Sequence, residues 1–124
     1  MNNNRPVFLN LFQMKMPVMA VVSFLHRVCG VILFLFLPWL IWLLAQSLAS
    51  PEQFQQVQVM AHGLFFKLAM WALLSALGHH FFAGVRHIIM DWGYGESLRC
   101  AQVSSYVVIF LDIVWAVAVG VWLW

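Results

Sequence analysis

Long apolar runs broken by short polar stretches run through this chain, and the breaks decide where its elements can lie. No charged residue occurs from Val28 to Ala45, and the runs before Asp91 and after Ser104 are almost as apolar. A helix needs about 20 apolar residues to cross roughly 30 Å of hydrocarbon. The pattern therefore predicts three spanning helices over about 18–48, 60–90 and 104–123. Pro17 stands where a helix can begin, because the first helical position does not use its N–H. Pro38 predicts a kink in the first helix, since it removes a backbone donor and crowds the turn before it. Ser50-Pro51-Glu52-Gln53 reads as a helix end followed by a fresh start, with a polar connection through Gln58. Asp91-Trp92-Gly93-Tyr94-Gly95 ends the second span, and Glu96 to Gln102 is a second polar connection. Residues 1–17 mix apolar and polar positions with Arg5 and Lys15, which suits an arm lying in the membrane interface. The expected fold class is all-α: an integral membrane protein with three transmembrane helices and an interfacial N-terminal arm, one domain over residues 1–124.

Composition agrees with this reading. The 124 residues are 65% hydrophobic and 8% charged, where soluble domains average about half apolar and a quarter charged. The start, MNNNRPVFLN, lacks the charged, apolar and small-residue order of a cleaved secretory signal, so the first apolar run is expected to be permanent. A net charge of +2 without a basic run excludes a nucleic-acid surface. Cys29 and Cys100 have no metal-ligand spacing and read as unpaired thiols. Several of the seven Trp suit interface anchors. With three spans, Arg5, Lys15, Arg27, Arg86 and Arg99 collect on one side, and the first connection has no Lys or Arg. Positive residues stay inside, so the N terminus is expected to be cytoplasmic and the C terminus periplasmic.

Ionisable residues at membrane depth mark candidate sites. The stretch Leu77 to Asp91, LGHHFFAGVRHIIMD, holds most of them. On a helix His80 shares a face with Ala76, Ala83, Gly84 and His87. A nitrogen ligand flanked by small residues leaves a flat slot that a large planar ring could fill, which points to a haem on a neutral imidazole. The competing reading is a histidine that hydrogen-bonds between helices, with Gly and Ala present for close packing; a haem-free membrane adaptor would follow. His79 faces Ser75, Phe82 and Arg86, a bulkier and more polar side, and ranks below His80 as a ligand. His62 reads as interfacial. Asp112, the one charge of the third span, is expected to face protein or a partner.

Ser23, His26 and Arg27 come level with Arg86 and His87, because both groups mark one membrane face. His80 lies six residues from Arg86, about 9 Å along the axis, an offset like that between a haem iron and its propionates. Buried carboxylates need cationic partners, and a haem on edge would find them here. His26 and His87 are too shallow for the sixth coordination position, so a histidine from another chain is the simpler source. Ser23 and Arg27, four residues apart, can both donate to a quinone carbonyl; the alternative is that Arg27 anchors the helix and Ser23 caps it.

These residues carry a resemblance. Arg5-Pro6-Val7 followed by Ser23-Phe24-Leu25-His26-Arg27 resembles the first signature of the cytochrome b membrane-anchor subunits of succinate dehydrogenase. His80, then Gly84-Val85-Arg86-His87 and Asp91-Trp92-Gly93, resembles the second. Both occur in order, and the likeness covers nearly the whole chain. Cys29 departs from it, since that family has Ser or Thr two places after the Arg. The resemblance implies the larger anchor of a succinate:quinone oxidoreductase in the bacterial inner membrane, catalysing nothing alone. It implies haem b shared with a second membrane-anchor subunit, with His80 as axial ligand. His26 and Arg27 would lie near the propionates, with Arg86 and His87 in the same charged layer. Ser23 and Arg27 would bind ubiquinone, which receives electrons from an iron–sulfur subunit supplied by a flavoprotein subunit. The anchor of a quinol:fumarate reductase is the alternative within the same class.

Overall fold

The computed structural model describes residues 16–124. The arm expected over residues 1–17, with Arg5 and Lys15, lies almost wholly outside the described residues. Four helices follow: α1 Val18–Ala49, α2 Pro51–Ala61, α3 Leu64–Asp91 and α4 Leu98–Leu123. Three of them, α1, α3 and α4, are long and apolar enough to cross a membrane. The fold is all-α among the described residues.

The ends of the helices follow local chemistry. Pro17 precedes α1, and the helix continues unbroken through Pro38. The Ser50 side chain accepts from the Gln53 N–H at 3.2 Å, and Pro51 opens α2, so the expected fresh start is a capped helix. The polar connection through Gln58 is thus helical. At 11 residues, α2 is too short to span the roughly 17–25 residues a bilayer demands. His62 closes it, and α3 begins at Leu64. At the far end of α3 the Gly93 N–H donates to Met90 O at 2.9 Å and the Tyr94 N–H to Ile89 O at 3.3 Å. Those two bonds, with Gly93 at φ 83°, satisfy the last carbonyls in a left-handed cap that favours glycine. Ser97 caps α4 by accepting from Cys100 N–H. The helix therefore starts at Leu98, earlier than the apolar pattern alone marks.

Helix α3 is central, packing against α1 on one side and α4 on the other, while α1 also touches α4. Val22, Ala83 and Val108, one from each helix, form the buried core, with Phe82 and Ile109 against it. The outward faces are apolar instead of polar: Phe34 is 72% exposed and Val121 78%. An apolar exterior of this extent is what lipid-facing helices require. Two tryptophans act between helices. Trp71 Nε1–H donates to Ala116 O at 2.9 Å and Trp115 Nε1–H to Leu74 O at 2.8 Å, tying α3 to α4. Gly78 makes this possible, because a Cβ there would collide with the Trp115 ring.

Candidate functional site

Antiparallel packing of α1 on α3 brings a histidine cluster together. The His26 and His80 rings stack with centroids 4.2 Å apart and planes 9° from parallel. His87 lies 5.2 Å from His26, tilted by 56°. The two helices interlock reciprocally at this level. A Cβ on Gly30 would come within 3.0 Å of His80 Cε1, and one on Gly84 within 3.3 Å of His26 Nε2. Each imidazole thus sits in the notch left by a glycine of the opposite helix. The sequence signal is a His-x-x-x-Gly pair on both helices, His26 with Gly30 and His80 with Gly84. Gly30 was not anticipated as a site residue.

The stack settles the tautomer of His80. Its Nδ1 lies 3.1 Å from the His26 carbonyl oxygen. A carbonyl only accepts, so Nδ1 carries the hydrogen and Nε2 presents a lone pair. Among the described residues no group bonds to Nε2. A backbone acceptor on one ring nitrogen with the other left open is how proteins orient a metal-ligating histidine. Small residues near His80 do not form an open slot within this chain. The Gly84 notch holds His26, and Ala83 is wholly buried in the three-helix core.

His79, one residue away, is saturated. Its Nδ1 lies 2.6 Å from Asp112 Oδ2, and its Nε2 3.3 Å from Val22 O. Both partners are acceptors when Asp112 is ionised, so the pair holds either an imidazolium with a carboxylate or a neutral ring with a carboxylic acid. Both arrangements are neutral overall, which suits membrane depth. Asp112 faces protein, one of the two placements expected for it.

Arg86 also turns toward α4. Its Nε–H donates to Ser104 Oγ at 2.9 Å and an Nη2–H to Ala101 O at 3.2 Å, and the residue is 7% exposed. It shares the depth of His87 but not its face. Six residues at about 100° each leave Arg86 roughly 120° around the helix from His80. The structure therefore brings His26, His80 and His87 together and separates Arg86 from them. Arg27 is exposed and close enough to His87 to act on it electrostatically. Ser23 is half-buried on the same side of α1, one turn from Arg27.

Among the described residues no three His, Cys, Asp or Glu side chains converge on a metal-ion site. A porphyrin supplies four nitrogens of its own, so one open imidazole nitrogen per chain is a sufficient donor set for haem iron.

Three spanning helices with a histidine cluster between two of them define a multi-pass membrane protein. Residues 1–119 match the family model described as succinate dehydrogenase/fumarate reductase transmembrane subunit, and the chain belongs to that family. It is 42% identical over 125 residues, covering all of both chains, to a succinate dehydrogenase cytochrome b556 subunit of Coxiella burnetii. It is 31% identical over 111 residues to the cytochrome b556 subunit of Rickettsia typhi, covering 90% of this chain and 86% of that one. The corresponding subunit of Paracoccus denitrificans is 29% identical over 114 residues, 92% and 88% of the two chains. The chain is thus a membrane-anchor subunit of an oxidoreductase complex, and these relatives are succinate dehydrogenase subunits.

Proposed function

We propose that this anchor binds haem b through His80 and forms part of the ubiquinone-reduction site of succinate dehydrogenase. The observation that carries the reading is the His80 ring: Nδ1 fixed on the His26 carbonyl at 3.1 Å, Nε2 open. The cytochrome b names of the relatives support the same cofactor. A second histidine for the haem iron would come from the sister anchor, because His26 and His87 are engaged with the stack. Haem, when bound, accepts and releases single electrons within the membrane.

The chain's own residues provide orientation and charge. His26, Arg27 and His87 would hold the haem propionates, and the paired glycines hold the imidazoles close. Arg86 keeps that layer positive while pinning α4 to α3. Ser23 O–H and Arg27 N–H donate to a quinone carbonyl at the membrane surface, where reduction develops negative charge and where protons are available from water. The iron–sulfur subunit delivers electrons there and the flavoprotein subunit supplies them. The two soluble subunits face the cytoplasm, with the N terminus of this chain on that side, and residues 1–124 act as one anchor domain.

The reduced-minus-oxidised spectrum of the assembled complex tests the haem assignment. His80→Ala is expected to remove the b-type band from a complex that still assembles; a retained band ends it. For the quinone site, Arg27→Ala should lower quinone reduction while succinate oxidation by an artificial acceptor survives. Equal loss of both activities counts against that role.

A further inference from the structure

A groove of about 700 Å³ runs along the α3–α4 face, away from the histidine stack. Phe81, Val85, Ile89, Val103 and Val107 make it apolar along its length, Arg99 and Tyr94 stand at one end, and the Arg86 guanidinium reaches toward that end onto Ala101 O. The lining residues extend from Phe81 to Met90 on α3 and from Arg99 to Leu111 on α4, about 14 and 18 Å of helix. Half of a roughly 30 Å hydrocarbon layer is about 15 Å. The groove is therefore one leaflet long, too short for a partner helix crossing the whole bilayer and suited to an acyl chain.

Arg86 supplies the second argument. It is buried to more than nine-tenths, lines the groove, and bonds only to a hydroxyl and a carbonyl. The described residues contain all four acidic residues of the chain, and the one carboxylate ion pair among them is that of Asp112 with His79. A guanidinium has five donors, and two are used here, so a buried cation is left without a counter-ion. Uncompensated charge at this depth is costly, and the open end of the groove, with Arg99 beside it, is where an anion can enter.

We propose that the α3–α4 groove binds an anionic glycerophospholipid, one acyl chain along the apolar wall and the phosphate on Arg86 and Arg99. Tyr94, exposed at the mouth, meets the headgroup region, where amphipathic aromatic rings settle. The site stands apart from the haem and quinone assignments, and their failure would leave it intact.

The test uses the whole succinate dehydrogenase complex, reconstituted in nanodiscs of phosphatidylcholine doped with phosphatidylglycerol, then released and examined by native mass spectrometry. Retention of phosphatidylglycerol over phosphatidylcholine is expected. Arg99→Ala should weaken it about fivefold, the worth of one surface cation near an anionic lipid. Val103→Trp fills the groove and should abolish retention; position 103 is an exposed apolar surface, so the fold is not at stake. Arg86→Lys keeps the charge but loses the fork that bonds α4, and should retain more lipid than Arg86→Gln. Equal retention of both lipids, or retention unaffected by Val103→Trp, overturns the proposal. So does a photo-crosslinker at position 103 that captures another subunit instead of lipid.

Discussion

The two seams of α3 treat the same kinds of residue in opposite ways. On the α4 side, His79 and the tryptophan pair find their partners within this chain, Asp112 and two carbonyls with Val22 O of α1 completing His79, and Arg86 is held by Ser104 and Ala101 O. On the α1 side, His80 has one nitrogen fixed and one open, and His26 and His87 are held by ring contacts more than by hydrogen bonds. One seam is tied together by hydrogen bonds within the chain. The other is pre-oriented but incomplete. Adjacent histidines separated by about 100° of helix rotation thus have different fates, and the partner on the neighbouring helix decides which is which.

The comparison breaks most completely at the two histidines. His80→Ala is expected to abolish the b-type band, whereas His79→Leu combined with Asp112→Leu should keep it, since that pair holds helices together and touches no cofactor. His79→Leu alone should lower the thermal stability of the assembled complex by about 3 kcal/mol, because it leaves a carboxylate without its partner. Restoration of stability in the double variant, measured by thermal melting, separates pairing from packing; no recovery would mean that shape, not charge, matters there.

Smaller effects sharpen the contrast. Gly78→Ala places a methyl against Trp115 and should destabilise the α3–α4 seam by about 1–3 kcal/mol, without moving the haem spectrum. Gly30→Ala presses on His80 Cε1 and should do the reverse: a stability change below about 1 kcal/mol with a shifted absorption maximum or midpoint potential. An unchanged spectrum in Gly30→Ala would show that the notch does not position the ring. The smallest effect lies outside the membrane. A hydrogen bond from Ser50 holds the Glu52 carboxyl below its ordinary 4.5. A lowered folded value contributes stability above the unfolded pKa and loses it as pH falls through the folded one. Fraying of α2, followed by amide exchange, should therefore increase under acid and depend less on acid in Ser50→Ala, where only the backbone hydrogen bond to the carboxyl remains.

Much of the site was legible as residue types but not as directions. The depth argument placed Arg86 and His87 at one level, yet level is set by rise along the helix and contact by rotation about it. Counting rise alone put Arg86 beside the haem edge, and rotation turns it to α4. Asp112 announced that it needed a partner, but nothing in the sequence named His79, 33 residues away. The fresh start at Ser50-Pro51 was legible, but the start at Leu98 was missed, because the Ser97 cap outweighs polar composition in the first turn and the apolar pattern gives no sign of that.

The amino-acid order alone determined the class of the molecule: apolar runs long enough to span, breaks at Ser50-Pro51 and Asp91 to Gly95, and cations gathered toward one face. Those features are local or additive, so a single chain read end to end suffices. Which histidine is open was decided by tertiary structure. That choice rests on Val22, His26, Gly30 and Asp112, brought from other helices to α3. The energy of an imidazole at membrane depth depends on what its two nitrogens meet there.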